Sequence, residues 1–182
     1  MRTDAQTMSR AGITCMLLLV IAGCVRVPDG VETVDGFELE RYLGTWYEIA
    51  RLDHSFERGL SSVTATYSLR EDGGVRVVNR GYNGSEGIWD EAEGKAYLAG
   101  AAGTGQLKVS FFGPFYGGYN IIALDKAHYR YSLVSGPNRK YLWILARDPA
   151  LDSATLDALV ATAREQGFPV DQLIYVEHDN GH

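Results

Sequence analysis

Val63-Thr64-Ala65-Thr66-Tyr67-Ser68-Leu69-Arg70 alternates apolar and polar side chains without a break, and Glu71-Asp72-Gly73-Gly74 and Val75 follow directly. Period-two alternation places Val63, Ala65, Tyr67 and Leu69 on one face of a strand and Thr64, Thr66, Ser68 and Arg70 on the other. An Asp-Gly pair supplies the positive φ that a tight hairpin turn needs. The same unit recurs along the chain. Strands are expected at Trp46–Asp53, Val63–Arg70, Val75–Tyr82, Ala92–Ala99, Leu107–Phe112, Tyr119–Asp125, Tyr129–Ser135 and Tyr141–Arg147. Turn signals at Tyr82-Asn83-Gly84-Ser85, Gly100–Gly105, Gly113-Pro114 and Gly136-Pro137-Asn138 divide several of them. Eight short strands in series predict an all-β fold, an eight-stranded up-and-down antiparallel β-barrel with its apolar face inward.

One helix follows the strands. Asp152 or Ser153 caps it, Leu156, Leu159, Val160 and Ala163 form its apolar stripe, and Gly167 with Pro169 ends it. It is expected to pack on the barrel's outside, ahead of a final short strand at Gln172–Glu177. Before the first strand, Phe37–Leu43 suits a single helical turn covering something apolar.

The chain has 182 residues, enough for one domain, and its 46% hydrophobic content supports a packed core. Net charge −6 and the lack of a Lys/Arg cluster argue against a nucleic-acid partner. Two cysteines make neither a disulfide scaffold nor a four-ligand zinc site.

The first 23 residues read as an export signal. Arg2 and Arg10 precede an apolar run from Ala11 to Gly23, too short to span a bilayer. Asp4 is unusual in such a leader, and Met8 is an alternative start. Ile21-Ala22-Gly23-Cys24 resembles the bacterial lipobox, in which the cysteine thiol receives a diacylglycerol and becomes the first mature residue. Cys24 is therefore the expected lipidation site, several acyl chains giving durable anchoring. Val25 in the next position resembles the pattern of lipoproteins sent to the outer membrane, on its periplasmic face. The expected organisation is a signal peptide at 1–23, a lipidated tether at 24–36 and one domain at 37–182.

Gly44-Thr45-Trp46 resembles the Gly-x-Trp signature of the lipocalins, and Arg147 in Leu145-Ala146-Arg147-Asp148-Pro149 matches the family's third motif. Ile122-Ala123-Leu124-Asp125 keeps only the Asp of the middle motif. Further stretches resemble the bacterial outer-membrane branch related to apolipoprotein D, from Gly44-Thr45-Trp46-Tyr47-Glu48-Ile49-Ala50-Arg51 to the run Val109–Tyr119. The resemblance implies that Gly44, Trp46 and Arg147 build a structural barrel floor. It also implies binding of a fatty acid or lysophospholipid and a role in envelope maintenance under stress.

Strand parity carried outward from Trp46 places Glu48 and Ala50 inside. It adds Ala65, Tyr67, Leu69, Val75, Val77 and Asn79, then Val109, Phe111, Tyr119, Ile121, Trp143 and Leu145. Of these, Ala65, Tyr67, Val77, Asn79, Val109, Phe111, Tyr119, Ile121 and Trp143 are the candidate ligand contacts. The seventh strand is ambiguous by alternation, and the resemblance favours Ser132 and Val134 inward. Asp53–Gly59 lies over the barrel mouth in the family, so Phe56 and Arg58 are candidate gate or lipid-phosphate contacts. The aromatics of Phe112–Tyr116 suit a membrane, a partner or a homodimer contact.

No catalytic centre, metal site or cofactor is expected. Gly87–Gly94-Lys95 has the wrong spacing for a phosphate loop and lacks its Ser/Thr. His54, His128, His178 and His182 lack ligand spacing, and no Gly-x-Ser-x-Gly elbow occurs. Asp90, Glu91 and Glu93 read as a solvated edge. The expected function is a membrane-anchored lipid carrier. A filled barrel that binds envelope partners and a lipid-modifying enzyme are the alternatives.

Overall fold

The computed structural model describes residues 25–178. The signal at 1–23 and Cys24 lie outside them. A short helix α1 (Leu39–Tyr42) leads into β1 (Gly44–Arg51), β2 (Leu60–Leu69), β3 (Val75–Asn83) and β4 (Ile88–Leu98). β5 (Gln106–Phe112), β6 (Phe115–Leu124), β7 (Tyr131–Ser135) and β8 (Leu142–Ala146) complete the meander. Each strand pairs antiparallel with the next, and β1 pairs with both β2 and β8. The sheet therefore closes on itself, although β4 pairs with β5 only over Lys95–Leu98, so that Ile88–Gly94 pairs with β3 alone.

Two apolar clusters share the barrel wall. The inner one holds Trp46, Tyr67, Val75, Val77, Leu107, Ile121, Val134 and Leu145. The outer one joins Ile49, Ala50, Leu133, Ile144 and Ala146 to Leu159 and Ala163 of α2 (Ser153–Glu165). The Asp152 carboxylate accepts the Thr155 N–H at 2.9 Å, capping α2. Beyond α2 come a 3₁₀ turn at Val170–Gln172 and the two-residue strand β9 (Ile174–Tyr175), which pairs with β1. The final strand is thus shorter than the expected Gln172–Glu177, because Val170–Gln172 turns.

Several expectations change for identifiable reasons. A bulge shifts the β1–β8 register between Glu48 and Ala50. It sends Ala50 to the outer cluster beside Ile49 and turns Arg51 inward, opposite Trp143. Leu69 ends β2 exposed rather than inside, because β2 runs past the barrel at that point. β7 begins at Tyr131, since Tyr129 takes a left-handed conformation with φ 55°. Ser132 and Val134 face inward, while Tyr131 and Leu133 pack outside.

The segment expected to be a tether is instead laid along the barrel from Val25 onward. Val31 is buried in the outer cluster, and Val34 exchanges backbone hydrogen bonds with Ile121 and Gly105. Asn120 Nδ2 donates to Arg26 O, and Arg139 Nη2 to Asp29 O.

Candidate ligand-binding interior

One end of the barrel is sealed. Trp46 is fully buried, its indole N–H donating to Tyr42 O at 2.8 Å. The Arg147 guanidinium lies 4.0 Å from the Trp46 ring centroid and donates to the carbonyls of Tyr129, Thr45, Arg41 and Leu43. One cation thereby covers an aromatic face and ties α1, β1 and the β6–β7 connection together. Gly44 has φ +95°, and a Cβ there would stand 3.3 Å from Arg147 Nη1. Both features call for glycine.

Above this floor three tyrosines meet. Tyr119 shares hydrogen bonds with Tyr42 at 2.8 Å and with Tyr67 at 3.0 Å, and Tyr42 reaches Ser132 Oγ at 3.0 Å. Burial pushes the Tyr42 hydroxyl up to about 12 and raises those of Tyr67 and Tyr119. All three therefore stay neutral at physiological pH and serve as donor and acceptor.

Val77, Val109, Ile121 and Val134 form the apolar wall, with Ala65 and Phe111 packed against it. On β4 the inner positions beside them are small. Ala96 faces Val75, and Gly94 faces Val77, where an added Cβ would come within 2.8 Å of Phe111 Cδ1. Further along, Ile88–Glu93 is exposed at every residue, where β4 runs beyond its last pair with β5, Lys95 with Ser110. Asn79 projects from the middle of β3, and its Oδ1 is buried without a partner among the described residues.

The mouth on the other side carries buried charge. Glu48 Oε1 accepts from Arg51 Nη1 at 2.6 Å. Arg51 also donates to Glu57 O and Leu60 O, pinning the β1–β2 loop. Glu57 Oε2 accepts the Trp143 indole N–H at 3.1 Å and lies 3.0 Å from His54 Nε2. Burial, then the neighbouring Glu57 carboxylate, holds Glu48 well above the usual carboxylate range despite Arg51. Burial acts on Glu57 in the same direction, but His54 and the Trp143 N–H outweigh it and hold Glu57 below that range.

The β1–β2 loop is divided. His54 and Glu57 turn inward, while Phe56 and Arg58 are exposed, Arg58 being held by Asp53 at 2.6 Å. Sequence reasoning missed Arg51 because the bulge at Ile49 has no signature in the alternation.

A model of the family described as Lipocalin-like domain matches residues 37–178. The chain is 54% identical over 167 residues to Outer membrane lipoprotein Blc of Citrobacter freundii, covering 92% of this chain and 94% of that one. It is 54% identical to the Blc of Vibrio cholerae over 165 residues, covering 91% and 95%. Apolipoprotein D of Macaca fascicularis is 30% identical over 185 residues, covering 91% and 95%. Insecticyanin from the tobacco hornworm Manduca sexta superposes with a TM-score of 0.69 at 21% identity, over 85% of this chain and 88% of that one. The closed eight-stranded barrel, its outer helix and these matches agree: the chain belongs to the lipocalin family.

Proposed function

We propose that this lipocalin is a binding protein anchored to the outer membrane through acylated Cys24, on the periplasmic face. Its barrel stores or carries a single-chain lipid, a fatty acid or lysophospholipid, for envelope maintenance under stress. One observation carries the reading. A wall of Val77, Val109, Phe111 and Ile121 closes at one end, and buried unpartnered polar atoms, Asn79 Oδ1 and Arg51 Nε, accompany it toward the opening. An apolar wall suits an acyl chain. Orphaned buried polar atoms cost free energy that a headgroup hydrogen bond relieves. The names of the bacterial relatives support the location.

Thermal unfolding with added lysophospholipid tests the reading. At a hundredfold excess over Kd, ligand stabilises the fold by about 2.7 kcal/mol. That gain is expected for the wild type and is absent in Phe111→Arg, which puts a charge in the apolar wall. An unchanged wild-type midpoint would favour a filled barrel.

A further inference from the structure

The inner face of the barrel holds an unused hydrogen-bond donor next to an unused acceptor. The donor belongs to the hydroxyl chain above the floor. Ser132, Tyr42, Tyr119 and Tyr67 are joined in that order by contacts of 3.0, 2.8 and 3.0 Å. Four hydroxyls bring four hydrogens, and three contacts use three of them. Among the described residues none of these hydroxyls bonds to anything else, so one O–H is left over. Hydroxyl hydrogens rotate, so reversing the direction of the chain carries the spare hydrogen from the Ser132 end to the Tyr67 end.

The acceptor is Asn79 Oδ1, buried without a partner among the described residues. Strand register places it beside Tyr67. Trp46 pairs with Ala65 and Ala65 with Asn79, while Tyr67 pairs with Val77. Asn79 and Tyr67 are therefore diagonal neighbours on one face, with Cβ atoms roughly 7 Å apart. Tyr67 bonds to Tyr119 and not to Asn79. Around the pair, Ala65, Asn79, Val109 and Tyr119 face inward and are only half-buried, so the barrel is not packed solid there.

Arg51 Nε, the other orphaned atom, lies elsewhere. Arg51 is five residues along β1 from Trp46, a strand length of about 16 Å, and faces Trp143 of β8. A single headgroup relieves one of the two atoms, not both.

Chemistry narrows what can sit between Tyr67 and Asn79. A methylene relieves neither group. An ether, a ketone or a carboxylate accepts the spare O–H but has nothing to donate to Asn79 Oδ1. An alcohol does both.

We propose that the barrel takes a hydroxylated acyl chain, with Tyr67, Tyr119 and Asn79 forming the subsite for the hydroxyl on that chain. This assignment rests on the reading of the barrel as a single-chain lipid carrier and names the class of chain it selects.

Ligand pairs that differ by one hydroxyl test it on the chain from Val25, which carries the whole closed barrel and its docked amino-terminal segment. Oleic acid is compared with ricinoleic acid, and palmitic acid with ω-hydroxypalmitic acid, by displacement of a fluorescent fatty acid. At least one hydroxylated acid is expected to bind about tenfold tighter than its parent, the net gain of two neutral hydrogen bonds. The methyl ether of the preferred acid's chain hydroxyl keeps the oxygen and loses the donor, so it should lose most of that gain. Asn79→Leu should bring the hydroxylated acid to its parent's affinity or below. The wild-type comparison stands alone if that variant does not fold. Parents that bind as well as or better than both hydroxylated acids overturn the hydroxyl subsite and leave the carrier reading standing. A preference that the ether retains, or that survives in folded Asn79→Leu, also overturns the subsite. Failure of all four acids and of lysophospholipid to bind overturns the carrier reading and the subsite with it.

Discussion

The Trp143 indole N–H donates to Glu57 Oε2 at 3.1 Å, joining the barrel strand β8 to the loop that covers the mouth. The same carboxylate meets His54, and its backbone carbonyl meets Arg51. The loop is thus pinned by buried polar groups on its own side of the barrel.

Trp143→Phe keeps an aromatic ring and removes the donor. A hydrogen bond to a charged group contributes about 1.5–3 kcal/mol, so the variant is expected to lose stability on that scale. Glu57, held low in the fold, contributes stability that is present above its unfolded value of 4.5 and is lost as the pH falls through its folded value. In the variant this acid-side loss shrinks. Urea unfolding of both proteins across the acid range measures it.

Glu48 has the opposite sign. Its folded value is raised, so its contribution is fully present below 4.5 and is lost as the pH rises through the folded value. Glu48→Gln removes that loss. The stability of the variant relative to wild type should therefore improve between 4.5 and the folded value and level off above it. A constant offset across the same range would contradict the assignment.

Arg147→Ala uncovers the Trp46 face and leaves four carbonyls without this donor. Loss of charge-assisted hydrogen bonds and of the ring contact predicts a cost of about 3 kcal/mol or more. Calorimetry should show a lower unfolding midpoint, by roughly 2–4 °C per kcal/mol in a chain of this size. Arg147→Lys is expected to recover little, because an ammonium cannot reach four carbonyls from one plane.

The docked amino-terminal segment is part of the fold. Burying a valine contributes about 1.5–3 kcal/mol, and Val31 is buried. Val31→Asp should destabilise the domain by at least that amount, and a chain beginning at Phe37 should unfold at lower temperature than one beginning at Val25. Equal midpoints would mean that the segment adds nothing.

The alternation at Val63–Arg70 and the turn glycines made the barrel readable, because strand period and turn chemistry are local properties. The floor was readable for a different reason: Gly44, Trp46 and Arg147 are a motif whose parts meet only in the closed barrel. The mouth was not readable. One extra residue at Ile49 exchanges an alanine for an arginine on the inner face, and no local pattern marks the bulge. Nor did composition reveal that Val31 is buried in the outer cluster and Val34 bonds to β6, since two valines among polar residues resemble a linker. His54 and Glu57 were visible as residues, but their inward turn depends on Arg51, which lies across the bulge.

Native mass spectrometry of the domain beginning at Val25, followed by organic extraction, reads directly whether the barrel holds a lipid. The expected result is a discrete adduct with the mass of a fatty acid or lysophospholipid, retained by the wild type and lost in Phe111→Arg and Trp143→Ala. A clean unliganded mass that persists after incubation with both lipid classes would contradict it and leave a barrel filled by its own side chains.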